Sequence, residues 1–239
     1  MFTAMIWGGV AATSLLIGYL LARRGLPNRT IGLIMGVGSG ALISAIAYEL
    51  IPQSLLEGWG MAVAFALGAL TFFVGDWVID QRGGAQRKGI DGKQGIGSGP
   101  AIFVGTLLDN IPESLVLGIG LALGGAINIA FLAAVFISNL PEGVAGSVNL
   151  ATAGHSQRSI FWMWLSLVLV SALCAGLGYL IVSWLPSADG LLAQAFAAGA
   201  MLTMLADAMM PEAFAHGGML VGLCTVLGFL VAAMLAIAQ

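Results

Sequence analysis

Long apolar stretches alternate along the chain with short polar or glycine-bearing ones, and eight of the apolar stretches are long enough to cross a membrane. A crossing takes roughly 20 residues, at about 1.5 Å of rise each, to cover about 30 Å of hydrocarbon. The pattern predicts helices over Phe2–Ala22, Thr30–Ile51, Ala62–Ile79, Pro100–Leu123, Ala126–Ala151, Ile160–Leu185, Leu191–Met210 and Gly217–Ala238. The expected fold is an all-α membrane protein with eight transmembrane helices. These spans use up most of the chain, so residues 1–239 read as one transmembrane domain with no appended soluble unit. The longest link, Gln81–Gly99, is Gly-rich and charged and is expected to be a flexible, solvated, cytoplasmic loop.

Composition agrees with lipid as the solvent. Hydrophobic residues make up 59% of the chain and charged residues 8%, against about 25% charged in soluble domains. A water-soluble fold is excluded. The formal charge of −3 is too small to point to nucleic acid. Cys174 and Cys224 both sit inside apolar runs and make no disulfide framework or zinc knuckle.

The first span is not a cleavable signal peptide, because Arg23 and Arg24 follow its apolar run rather than precede it. All eight basic residues then sort to one side: Arg23, Arg24 and Arg29 after span 1, Arg82, Arg87, Lys88 and Lys93 after span 3, and Arg158 after span 5. Cytoplasmic connections collect Lys and Arg, so both termini are expected outside. The protein is read as a multi-pass component of the cell (inner or plasma) membrane.

Two internal echoes follow. Gly40-Ala41-Leu42-Ile43-Ser44 matches Gly199-Ala200-Met201-Leu202-Thr203, and Leu50-Ile51-Pro52-Gln53 matches Met209-Met210-Pro211-Glu212, both at a constant offset of 159 in the numbering. Spans 2 and 7 cross in opposite directions, so this is the mark of an inverted repeat, spans 1–3 against 6–8, around spans 4 and 5. Spans 4 and 5 carry Asp109-Asn110-Ile111-Pro112-Glu113-Ser114 and Ser138-Asn139-Leu140-Pro141-Glu142-Gly143, at an offset of 29.

About a turn near Gly124–Ala126, Asp109 is expected level with Glu142, Glu113 with Ser138, and Asn110 nearly with Asn139. Spacings of three and four put Asp109, Asn110 and Glu113 on one helix face, and Ser138, Asn139 and Glu142 on another. Six oxygen-bearing side chains are expected to converge in one layered site, deep in the hydrocarbon. Pro112 and Pro141 lack an N–H and should free the carbonyls of Leu108 and Ile137 as further ligands. Carboxylates at that depth cost several kcal/mol each, and no basic residue lies level with them. Three acids without a counter-ion imply protonation or a bound cation, and carboxylates with amides suit a divalent metal.

Weaker candidates surround this set. Asp207 and Glu49, each a turn before a proline, would line exit and entry of the path or cap the helix ends. Asp76 and Asp80, next to Arg82, suit local ion pairs. His155 and His216, at helix ends, suit a solvated role more than metal capture. Met201, Met204 and Met209 suit apolar filler.

These residues resemble the ZIP (Zrt/Irt-like) family of zinc and iron permeases, in particular its bacterial GufA/ZupT-like branch. The resemblance covers the full chain: eight helices, both ends outside, a polar inner loop after the third, a 3+2+3 inverted repeat, and Asn-x-Pro-Glu on the two central helices. The family motif His-Asn-x-Pro-Glu-Gly is matched by Asn110, Pro112 and Glu113, with Asp109 at its His and Ser114 at its Gly. On span 5 the match is Asn139, Pro141, Glu142 and Gly143, while Ser138 stands where His or Gln is frequent. On span 7 the chain offers Asp207 and Pro211-Glu212.

The resemblance implies a transporter that carries a divalent metal ion as substrate, with Asp109, Asn110, Glu113, Ser138, Asn139, Glu142 and Asp207 as metal ligands and no bound cofactor. With no histidine in that set, the ligands harden, and Mn²⁺ or Fe²⁺ gains on the family's default, Zn²⁺. Span 6 contains no acid to complete a second metal position, so one site or a weak second one is expected. The partners implied are the metal ion and the lipid bilayer; a homodimer is compatible with both. Two alternatives stay open: a ZIP-like protein that senses metal or binds partners without transport, and an intramembrane hydrolase. Against the latter, there is no His-Glu-x-x-His or Gly-x-Ser-x-Gly.

Overall fold

A computed structural model of the chain describes residues 1–51, 59–84, 99–184 and 187–238. Pro52 and Gln53 of the first repeat, and Arg87, Lys88 and Lys93 of the loop, lie outside the described residues. Within them every regular element is helical. The elements are α1 (Phe2–Ala22), α2 (Asn28–Ala45), α3 (Trp59–Ile79), α4 (Gly99–Gly124), α5 (Ile129–Thr152), α6 (Gln157–Trp184), α7 (Ser187–Met204), α8 (Met210–Gly217) and α9 (Leu220–Ile237). A wide π turn extends α2 over Ile46–Leu50, another extends α3 over Asp80–Gly84, and a third, Leu205–Met209, joins α7 to α8. The last makes α7 and α8 one crossing, so eight helical segments are long and apolar enough to span a membrane.

Local chemistry sets the ends. The Asn128 side chain accepts from the Phe131 amide at 2.7 Å and so starts α5, while Gly125 at φ +69° makes the tight turn before it, a backbone conformation that side chains resist. Three connections meet at one end of the bundle. The Tyr19 hydroxyl at the end of α1 donates to the Gln157 carbonyl at 3.2 Å, and Gly99 at the start of α4 abuts the His155 ring. These are the links after spans 1, 3 and 5, where the basic residues fall.

The inner helices are α2 and α5, with 67% of their apolar windows buried; α3 and α9, at 22%, present most of their surface outward. Helices α1, α4, α5 and α6 pack together, with α1 against α5 and α6, and α4 against α6. Around them α2 pairs with α9 and α3 with α7. In a bilayer, small residues at such contacts let backbones approach closely.

These contacts repeat. A Cβ on Gly40 would overlap the Thr225 carbonyl, and one on Gly199 the Phe65 carbonyl; Gly228 meets Val37 as Gly68 meets Phe196. Gly18 meets Leu140 as Gly178 meets Leu115, and Gly143 meets Leu15 as Gly118 meets Ala175. Spans 1–3 therefore map onto 6–8 with a shift of 159 or 160 in the numbering, and α4 maps onto α5 with a shift of 25. The π turns at Ile46–Leu50 and Leu205–Met209 obey the same shift of 159.

Helices α4 and α5 run through Pro112 and Pro141 without a break, and irregular turns fall at equivalent places in spans 2 and 7. Each half exchanges an outer helix with the other, because glycines 40, 68, 199 and 228 lock α2 to α9 and α3 to α7.

Candidate metal centre

The acids and amides of the two central helices all lie inside the protein. Asp109, Asn110, Glu113, Ser138 and Asn139 are each exposed by 2% or less, and Glu142 by 6%. Asn139 Nδ2 donates to Asn110 Oδ1 at 3.4 Å, and Asn110 Nδ2 donates to the Thr106 carbonyl at 3.0 Å. Ser138 donates its hydroxyl to the Val135 carbonyl at 2.9 Å. The Asn139 Oδ1 atom is buried and accepts no hydrogen bond among the described residues. Ser138 also lies against α2, where its Cα and the Met209 methyl flank Gly38.

The amide pair fixes the level of the rest. Glu113 is three positions from Asn110 toward one end of the bundle, and Glu142 three from Asn139 toward the other, so the two backbone positions stand about 9 Å apart along the helix axes. Asp109 lies between. The side chains thus stand at successive levels, as a ladder; among the described residues no three His, Cys, Asp or Glu side chains gather as a metal-ligating group. The shift of 25 that relates α4 to α5 makes Glu113 and Ser138, expected at one level, equivalent positions as well.

Electrostatics single this ladder out. Asp76, Asp109, Glu113 and Glu142 are buried, and no Lys, Arg or His is buried among the described residues. A bare carboxylate in low dielectric costs several kcal/mol, and the remedies are a shared proton, hydrogen bonds or a cation.

The other expected residues lie elsewhere. Asp207 sits on the π turn after α7 and is exposed, outside the buried set, whereas Met209 on the same turn is 2% exposed. His216 is not solvated as expected; its Nδ1 lies 2.9 Å from a Glu212 carboxylate oxygen, one turn back. Met201 and Met204 pack in the apolar core. The sequence reading missed Ser39 and Ser44, whose buried hydroxyls find no hydrogen-bond partner among the described residues. It also missed Asn128 and Gln194, which converge on Glu49: Asn128 Nδ2 donates to Glu49 Oε2, and Gln194 Nε2 to the Glu49 carbonyl at 3.3 Å. One turn of spacing on a single helix was the available signal, and these partners come from three different elements. No family model matches the chain, and no curated protein matches it.

Proposed function

We propose that the protein is a secondary transporter for divalent transition-metal ions, zinc or the related manganese and iron, moving them inward across the membrane by alternating access. The observation that carries this reading is the ladder of three buried acids and an amide pair at mid-span with no buried base among the described residues. Asp109, Glu113 and Glu142 neutralise the ion's charge. Asn110, Asn139 and Ser138 add oxygen donors along the way. A ladder suits passage better than retention, since an ion held by too many ligands at once leaves slowly. The Asn-x-Pro-Glu resemblance to ZIP permeases favours the same reading, and the basic connections at one end favour that end as cytoplasmic.

Access alternates in this proposal by movement of the α1/α4/α5/α6 group against the α2–α9 and α3–α7 pairs. Rocking of spans 1–3 against 6–8 would break the glycine contacts of α2 with α9 and of α3 with α7. The test is ion flux into liposomes bearing the full chain, with Zn²⁺, Mn²⁺, Fe²⁺, Co²⁺ and Cd²⁺ offered in turn. Flux is expected for at least one, and its absence for all five rejects transport in favour of a metal-sensing or partner-binding role.

A further inference from the structure

Glu49, an acid outside the ladder, faces an internal space of its own. At the end of the bundle opposite the basic connections, a cavity of about 390 Å³ opens between α2, α4, α5 and α7. Of the described residues lining it, Glu49 alone is ionisable; Asn128 and Gln194 are the polar companions. Leu50, Val116, Leu117 and Phe131, each exposed by 3% or less, close it toward the ladder. Val116 and Leu117 are one turn beyond Glu113 on the same helix.

Three elements meet at Glu49. Its carboxylate accepts from the Asn128 amide, and its main-chain carbonyl accepts from Gln194, whose side chain is 8% exposed. Asn128 is engaged at both ends, because its oxygen caps α5. The arrangement exists at one end only. By the shifts that relate the repeats, the positions matching Glu49, Asn128 and Gln194 at the opposite end are Ala208, Phe103 and Met35, none of which carries charge or an amide. The repeat's packing was kept at both ends and its chemistry at one.

Size and donors define the ligand. Water occupies about 30 Å³ in the liquid, so an ion with about six waters needs about 180 Å³, and the cavity holds it. One carboxylate with amide oxygens and retained waters is a hard, weak donor set, suited to a hydrated divalent cation and not to a stripped one.

We propose that this cavity is a second cation site, where a hydrated divalent cation binds the Glu49 carboxylate in competition with the Asn128 amide and so loosens the tie between α2 and α5. Cation binding at Glu49 does not depend on the transport reading.

The probe is Mn²⁺, read by its broadening of a nitroxide label. The label is placed at Ile129→Cys, an exposed position beside the cavity, in the full chain with Cys174→Ser and Cys224→Ser. Asp109→Asn, Glu113→Ala and Glu142→Ala remove the three central carboxylates. Saturable broadening is expected, weakened at least tenfold by Glu49→Gln. Asn128→Ser keeps a helix cap but withdraws the competing amide, and is expected to tighten Mn²⁺ binding at least threefold. An Mn²⁺ affinity that Glu49→Gln leaves unchanged overturns the site; unchanged or weaker binding in Asn128→Ser overturns the competition. Glu49-dependent broadening without liposome flux rejects transport and leaves the site standing, whereas flux with no Glu49-dependent broadening does the reverse.

Discussion

Asn139 donates its amide to Asn110 across the interface of the two central helices, at 3.4 Å and with both side chains almost wholly buried. The pair sits between Glu113 and Glu142 and sets the height of each. Asn110→Ala strips Asn139 of its acceptor and leaves a buried donor unsatisfied, which costs about 1–3 kcal/mol. Thermal unfolding of the purified chain is expected to show that loss, with a smaller further loss when Asn139→Ala is added. Full additivity of the two would mean that the amides do not act as a pair.

Removing both flanking carboxylates has a different signature. The Glu113→Ala, Glu142→Ala double variant is expected to fold, as a melting transition of the purified chain would show, yet to lose metal flux at least tenfold. Unchanged flux rejects these residues as the ion's ligands.

Protons compete for the same oxygens. A protonated carboxyl offers no charge to the ion, so flux at low metal concentration is expected to fall as the outer solution is acidified from about pH 7 toward pH 5, approaching the ordinary carboxylate range. More metal should restore it. A rate insensitive to pH over that interval counts against carboxylate ligation.

The glycine contacts make a prediction about symmetry. Gly40→Ala and Gly199→Ala both drive a methyl into a facing carbonyl, at equivalent places in the two repeats. Each is expected to lower stability by about 1–3 kcal/mol, and by similar amounts. Gly120→Ala and Gly222→Ala, which meet nothing within 4 Å, are the controls and should melt like the parent.

Trp164 gives a check on the central group. Its indole N–H donates to Ser147 at 2.8 Å, inside the protein. Ser147→Ala leaves that donor buried without an acceptor, and a loss of about 1–3 kcal/mol is expected, measured as a fall in melting temperature. Ser183→Ala, at an exposed hydroxyl, should leave it unchanged.

Much of the architecture was legible because lipid simplifies the code. Span number and most span limits follow from apolar length alone, and the shift of 159 was visible in Gly40 and Gly199 before any packing was known. The motif offset of 29 is not the packing shift: Gly118 and Gly143 superpose the central helices by 25, which the motif alone does not disclose. On the π turn after α7 Met209 is buried and Asp207 exposed, a division that apolar length does not announce. The π turns of spans 2 and 7 have no proline or glycine inside them to announce them. The Glu49 knot was illegible because its three partners are brought together only by tertiary packing.

The exchange of outer helices also bears on how the chain is made. Helix α2 enters the bilayer early in synthesis, whereas α9, against which Gly36 and Gly40 pack, emerges only near the end. Until then that glycine face of α2 lacks its partner, although α1 can already meet α5 and α6, and α3 can meet α7. The α2–α9 seam is therefore the last of these pairings to close, because its two sides lie farthest apart in the sequence.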